Sequence, residues 1–376
     1  MSLLVKDINL EKVPTTKRAA MYYKTEPLYT NIDLYVHTNN WEILQAIRLL
    51  NKRGYTVDLI DRKYENWRAD SPYDLFLGLG VGNRGRCFPD LARSSQAPTK
   101  ILLAMGPQPD VSNELVLRRY KMFNERTKSS APPMRTVQDV TGDKFLELVD
   151  TADCIFNIGE KDTPSYNSYL PYNTPVINFL PSTSPKVGFA PNWLDTRNLN
   201  SYLCFAGNGF ICKGVDVVVE SFLKDSTKEL HICGPPTETA FFEHYGDTIR
   251  NAPNIYYHGF IEPGAAAFNQ LASHCAFVLF HSAAEGCCTS VATAMRAGLV
   301  PIINAWTGIL VDGIGIDLPE EGDIIQTITD ATTMASSMDL ADYSALVQGT
   351  LQKSLLFSQE SFTKSYGKAL DKALKM

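Results

Sequence analysis

The sequence of 376 residues holds eight cysteines but no CxxC pair, which removes the usual paired-cysteine zinc and redox motifs. It has no apolar run of the ~18–20 residues that a membrane span requires. Its opening, MSLLVKDINLEKV, carries charge too early for the apolar core of a signal peptide. Basic residues are not in excess: 35 Lys and Arg face 41 Asp and Glu, a net charge of −6, which argues against nucleic acid or an anionic membrane as partner. Internal repeats and low-complexity tracts are missing too. These absences point to a cytoplasmic globular protein whose cysteines are buried free thiols, with Cys204, Cys233 and Cys275 in or beside strand-like apolar runs. The length exceeds one ordinary core, so two α/β domains are expected.

What is there is most informative from His274 to Asn304. Cys275–Phe280 is a short, continuous apolar run and reads as a strand buried on both faces. Residues 289–297 place Val291, Ala294, Met295 and Ala297 at helical spacing, with Gly298 as the stop. A second buried strand follows over 299–303. Strand, helix and strand with tight joints form a βαβ unit, so the two strands are expected to be parallel neighbours. The first joint, HSAAEGCCTS, holds Glu285, Gly286, Cys287, Cys288, Thr289 and Ser290. Ligands of open α/β sheets sit outside the carboxyl ends of strands, where helix N-termini offer free N–H groups to anions. Thr289 or Ser290 equally fits the role of a simple helix N-cap. Cys287 and Cys288 read as small packing residues, since no partner that would make either a nucleophile can be assigned.

The first half alternates strands (32–36, 55–60, 73–79, 99–105 and 154–158) with helices (41–53, 114–125 and 144–149), a Rossmann-like succession. Gly80-Val-Gly82-Asn-Arg-Gly85 matches GxGxxG after a strand. A dinucleotide fingerprint follows the first strand of its domain, whereas this follows the third and lacks the acid at the end of the next strand. A glycine-rich loop facing an interdomain cleft is the alternative. The Pro-, Ser- and Asn-rich passage near 181–193 marks the domain boundary.

The second half restarts the pattern, with strands over 201–206, 229–233 and 255–258 and helices over 215–223 and 265–272. Its strand ends bring Gly207 to Lys213, Gly234, Gly259-Phe260 and Glu285 to Ser290 to one sheet edge. Lys213 precedes a helix N-terminus, where a cation is unfavourable unless an anion lies between them. It is otherwise a solvated surface lysine. Helices over 320–335, 340–355 and 359–374 complete the chain.

FAGNGFICKGVDVVVESF, LHICGPP, NIYYHGFIE and SAAEGCCTSVATAMRAGLVPII, in this order, resemble the nucleotide-sugar-binding half of group 1 glycosyltransferases of the GT-B fold. The resemblance covers roughly 201–308. It implies two Rossmann-like domains with parallel sheets facing a central cleft: an acceptor-side domain over 1–185, a nucleotide-sugar domain over 186–355, and a C-terminal helix over 356–376 packing back towards the first. It implies a retaining hexosyl transfer from a nucleoside-diphosphate sugar to a glycan, lipid or small-molecule acceptor, with no metal and no cofactor. The absence of a DxD pair near this edge agrees with metal independence. By the same resemblance Lys213 contacts the donor diphosphate and Glu285 lies by the transferred sugar. Asn208 stands where the family has an arginine, and Thr293 where its Glu-x7-Glu motif has the second acid that holds the donor ribose. One hydroxyl lacks the two charged oxygens with which a carboxylate holds both ribose hydroxyls. The donor set is therefore Asn208, Lys213, Gly234, Phe260, Glu285 to Ser290, and Thr293. His37, Asn39, Asn40, Gly80 and Gly82 are the acceptor-side candidates. Asn208 and Thr293 suggest a catalytically silent nucleotide-sugar-binding protein as one alternative, and the Gly80–Gly85 pattern a nicotinamide-dependent oxidoreductase as the other.

Overall fold

The structure is a computed structural model that describes all of the chain except residues 1, 30–32, 36, 81–84 and 135–136. Two compact units divide the chain. The first comprises Met1–Asn113, Val137–Ser182 and Gln359–Met376, and the second Glu114–Thr136 and Thr183–Ser358. The segment Glu114–Thr136 thus belongs with the second unit, away from the sequence neighbours that the expected division at 185 gave it.

The first unit is built on seven strands: β1 (Leu4–Ile8), β2 (Lys17–Tyr23), β3 (Tyr55–Asp61), β4 (Leu75–Leu79), β5 (Thr99–Ala104), β6 (Cys154–Ile158) and β7 (Val176–Phe179). Their order is β1-β3-β2-β4-β5-β6-β7. All pairs are parallel except β1 with β3. The expected strand over 32–36 is corrected. Ile32 and Val36 lie outside the described residues, and Leu34 and Tyr35 between them form a turn. The Asp33 carboxylate accepts from the Tyr35 amide at 2.8 Å, so a side chain takes the N–H that a ladder would need. Its place in the sheet is taken by β2, whose run from Ala19 to Tyr23 is wholly buried. Helix Gln359–Ala373 packs in this unit: Phe362 lies edge-on to Trp41, and Tyr366 edge-on to Phe156 and Phe179.

The second unit carries β8 (Asn198–Phe205), β9 (Glu229–Cys233), β10 (Ile255–Tyr257), β11 (Cys275–Phe280), β12 (Val300–Ile303) and β13 (Ile316–Asp317). The order is β10-β9-β8-β11-β12-β13, parallel throughout. The chain adds β9 and β10 on one side of β8 and then crosses to add β11 on the other. That reversal makes the β8/β11 gap a topological switch point, where α/β sheets bind ligands. In the first unit the equivalent reversal lies between β2 and β4.

Arg197 fixes the helices on either side of β11. Its buried guanidinium donates to the carbonyls of Ala272, Ala297 and Gly298 and to the Tyr343 hydroxyl. Ala272 belongs to the last turn of helix Ala266–His274, and Ala297 and Gly298 follow helix Thr289–Arg296. One planar cation satisfies carbonyls that both helix ends leave open. Among the described residues no helix is long and apolar enough to cross a membrane.

Candidate functional site

Lys213 and Glu285 come from the two strands that flank the β8/β11 switch point, and they meet. The Lys213 ammonium donates to Glu285 Oε1 at 2.6 Å, with side-chain exposures of 8% and 15%. Lys213 is delivered by the turn after β8 and precedes Gly214, the N-cap of helix Val215–Leu223. Gly214 has φ +76°, and a Cβ there would sit 2.4 Å from the His281 carbonyl oxygen. Only glycine lets the two strand-end loops approach this closely. The Ala283 amide closes the contact by donating to Cys212 O at 2.7 Å.

The loop after β12 holds the Glu285 loop from its other side. The amides of Glu285 and Cys288 donate to Trp306 O at 2.9 Å and Thr307 O at 2.7 Å. The buried Asn304 side chain bonds both the amide and the carbonyl of Ser282, at 2.9 and 2.8 Å. Gly308, at φ +73°, passes so close that a Cβ would fall 2.0 Å from Gly286 O. The Cys288 N–H is thereby engaged with Thr307. One expectation is corrected here. The N-cap of helix Thr289–Arg296 is Cys288, not Thr289 or Ser290. Burial raises the Cys288 thiol pKa, with Lys213 opposing, which fits a packing role rather than a thiolate.

The other donor-side candidates occupy the same carboxyl edge. Asn208 is exposed and accepts from the Thr237 hydroxyl at 2.9 Å. The Gly234 amide donates to Gly259 O at 2.8 Å, tying the ends of β9 and β10 together. Phe260 is 56% exposed. Gly286 and Cys287 are buried in the loop, Thr289 and Ser290 are half-buried in the first helical turn, and Thr293 is buried one turn on.

Sequence reading missed a buried group beside this edge. Arg119 donates from Nη2 to His281 Nδ1 at 2.6 Å and to His281 O at 2.9 Å. Arginine cannot accept, so Nδ1 bears the lone pair and Nε2–H donates to Pro319 O at 3.1 Å. Burial first, and then Arg119, lower the His281 pKa to about 3, so the ring is neutral. Arg119 Nη1, Ser282 Oγ and Glu320 Oε1 have no hydrogen-bond partner and line one cavity of about 180 Å³ with Trp306. Atoms so placed are satisfied by water or ligand hydroxyls. Asn304, directly after β12, was discoverable from its strand-end position. Arg119, in mid-helix and 162 residues from its partner, carried no such signal.

In the first unit, two of the expected acceptor-side residues, Asn39 and Asn40, meet at a lysine that was not singled out. Lys24, just beyond β2, donates to Asn39 Oδ1 at 2.7 Å and to Asn40 Oδ1. Burial lowers its pKa to about 8. Glu42, on the same helix Asn39–Asn51, is buried and accepts from the Ser182 amide and hydroxyl at 2.6 and 2.9 Å. Burial raises its pKa to about 7. His37 is exposed. Gly80 follows β4, and a Cβ there would overlap Leu102. Gly82 lies outside the described residues.

No family model matches the sequence, and no curated protein matches it. Solved structures do match. A point mutant of S. aureus TarM, crystallised with fondaparinux, α-GlcNAc-glycerol and UDP, shares 10% identity at TM-score 0.52. That match covers 80% of this chain but only 55% of TarM, so the chain spans about half of that neighbour. Anabaena HepE, in complex with UDP and glucose, has TM-score 0.60 at 9% identity, covering 96% of this chain and 100% of HepE. Starch synthase IV from Arabidopsis thaliana, bound to ADP and acarbose, has TM-score 0.58 at 10% identity, with 96% and 100% covered. These neighbours are GT-B glycosyltransferases, and at such identities the likeness is one of fold. The chain has that α/β fold, with two parallel-sheet units.

Proposed function

We propose that this chain is a glycosyltransferase that moves a sugar from a nucleoside-diphosphate sugar to an acceptor hydroxyl. The observation that carries the reading is the Lys213–Glu285 pair at the β8/β11 switch point. In such a transfer the bond from the anomeric carbon to the diphosphate oxygen breaks, and its electron pair leaves with the diphosphate. The catalyst needs fixed positive charge at the leaving group and a negative or accepting group by the sugar. Lys213 supplies the first. Its ammonium is a three-donor cation of the kind that hydrogen-bonds phosphate oxygens. Glu285 then orients both the lysine and the donor sugar. In this reading Asn208, Gly234, Phe260, Gly286, Cys287, Cys288, Thr289, Ser290 and Thr293 form the rest of the donor site, and the reaction needs no metal and retains anomeric configuration. Lys24, Asn39, Asn40 and Gly80 stand on the acceptor side. The nucleotide-sugar neighbours do not favour the nicotinamide or silent-module alternatives.

Calorimetry tests this directly. Lys213→Ala is expected to weaken binding of UDP or ADP by on the order of 2–3 kcal/mol, the scale of a charge-assisted hydrogen bond. Uridine or adenosine should bind the variant as it binds the parent protein. Unchanged diphosphate affinity removes Lys213 from the donor site. Thermal shift with UDP, ADP, GDP and NAD, followed by donor hydrolysis, tests the class: stabilisation by NAD alone overturns the reading, and nucleotide-sugar binding without turnover leaves a silent module.

A further inference from the structure

The face of the second sheet holds another cluster of chemistry, made by β9 and the end of helix Ala266–His274. Glu229 and His231 are two apart in β9, so they share a face. His274 is the last residue of its helix and directly precedes β11. All three therefore lie towards the amino-terminal ends of β9 and β11, whereas Lys213 and Glu285 follow the carboxyl ends of β8 and β11. His274 Nε2 is 2.8 Å from Glu229 Oε2, and His231 Nε2 is 3.8 Å from the same oxygen. One ligand atom from each of the three falls within 4.8 Å of the others.

We infer that Glu229, His231 and His274 form a binding site for a zinc-type divalent transition-metal ion. A tetrahedral ion with ligands at about 2.0–2.1 Å holds its donor atoms about 3.4 Å apart, and the two distances bracket that value. The strongest observation is His231 Nε2, which is buried and has no hydrogen-bond partner. The other ring nitrogen explains its availability. His231 Nδ1 lies 3.0 Å from His258 Nε2, with the two rings stacked. With the proton on Nδ1, His231 donates to His258 and turns the Nε2 lone pair towards Glu229 and His274. With the proton on Nε2, that N–H faces a carboxylate 3.8 Å away, beyond hydrogen-bond range. The first tautomer is that of a metal-binding histidine whose second nitrogen is held by an outer partner. Two imidazoles and one carboxylate suit zinc and its neighbours better than magnesium or calcium, which prefer oxygen. His274 and Glu229 are partly open to solvent, which leaves a route in and a fourth position for water. The ion would clip the helix end to β9, a structural role separate from the switch point.

The test uses the full chain, stripped with a chelator and titrated with Co²⁺ and Zn²⁺. One equivalent of Co²⁺ with the visible bands of a tetrahedral site is expected, displaced by Zn²⁺, with a melting temperature that rises on adding Zn²⁺. His274→Ala, at a half-exposed residue that should not disturb folding, and His231→Ala should both abolish stoichiometric binding. His258→Ala should weaken it roughly 10- to 100-fold. His244→Ala, at an exposed histidine outside the cluster, should retain it. The inference is overturned if the stripped protein takes up no stoichiometric ion, or if His274→Ala and His231→Ala bind it as before.

Discussion

An ammonium group carries three N–H donors, and Lys213 directs one of them to Glu285. Both side chains are largely out of water, so the pair is sensitive to the loss of either member. Glu285→Gln keeps the shape and an acceptor oxygen but removes the charge. Turnover is expected to fall on the order of 100-fold, while affinity for UDP or ADP, which carry no sugar, changes only a few-fold. Equal losses in steady-state rate and in calorimetric affinity would make Glu285 a loop support instead. Glu42 gives a second test at this scale. Its pKa rises from the usual 4.5 to about 7 in the folded protein because it is buried. Below pH 4.5 both states hold the proton and the contribution is fully present. From there to about pH 7 the unfolded chain ionises first, so stability falls by on the order of 3 kcal/mol as pH rises. Denaturant melts at pH 5 and pH 7.5 should show that loss in the parent protein and a much smaller one in Glu42→Gln. A parent protein equally stable at both pH values would show that Glu42 ionises normally.

At the scale of elements, the Glu285 loop is shaped by its neighbours more than by its own sequence. The loop after β12 takes the amides of Glu285 and Cys288, and Gly308 lies against Gly286. Gly308→Ala places a methyl carbon 2.0 Å from Gly286 O, on a backbone at φ +73° that also disfavours alanine. The expected result is a loss of about 1–3 kcal/mol in stability, with weakened nucleotide-diphosphate binding although residue 308 need not touch the ligand. A variant as stable and as tight as the parent would show that the two loops separate freely. Much of this level was legible. Helix Val215–Leu223 and strands β9 and β11 have the bounds that their sequences implied, β11 most plainly, since a strand buried on both faces declares itself as an unbroken apolar run. β1 and β2 were not: β1 is an edge strand, LVKDI, with Lys6 and Asp7 exposed, and β2 begins with two charges. Residues 32–36 looked more strand-like than either until Asp33 took the Tyr35 amide. The Lys213–Glu285 pair was legible one residue at a time, as strand-end residues. The Arg119–His281 pair was not, because neither its spacing nor its residue types mark a contact.

At the scale of the whole chain, each unit gathers segments distant in sequence. Helix Gln359–Ala373 belongs to the first unit, where Phe362 is 1% exposed. Phe362→Ala should cost about 3–5 kcal/mol through the lost contacts and the cavity left behind. Hydrogen exchange should show lost protection in helix Asn39–Asn51 and β7, with β8, β9 and β11 unchanged. Equal loosening in both sheets would mean that the helix supports the two units alike.

The same helix sets an order of birth. A ribosome delivers β1 to β7 first, but the ring stack that covers Phe156 and Phe179 arrives only with Phe362 and Tyr366. By then every strand of the second unit has been made. The half of the protein that is synthesised first is therefore the half that must wait, its unclosed apolar face exposed to chaperones, while the later half is already able to close on itself.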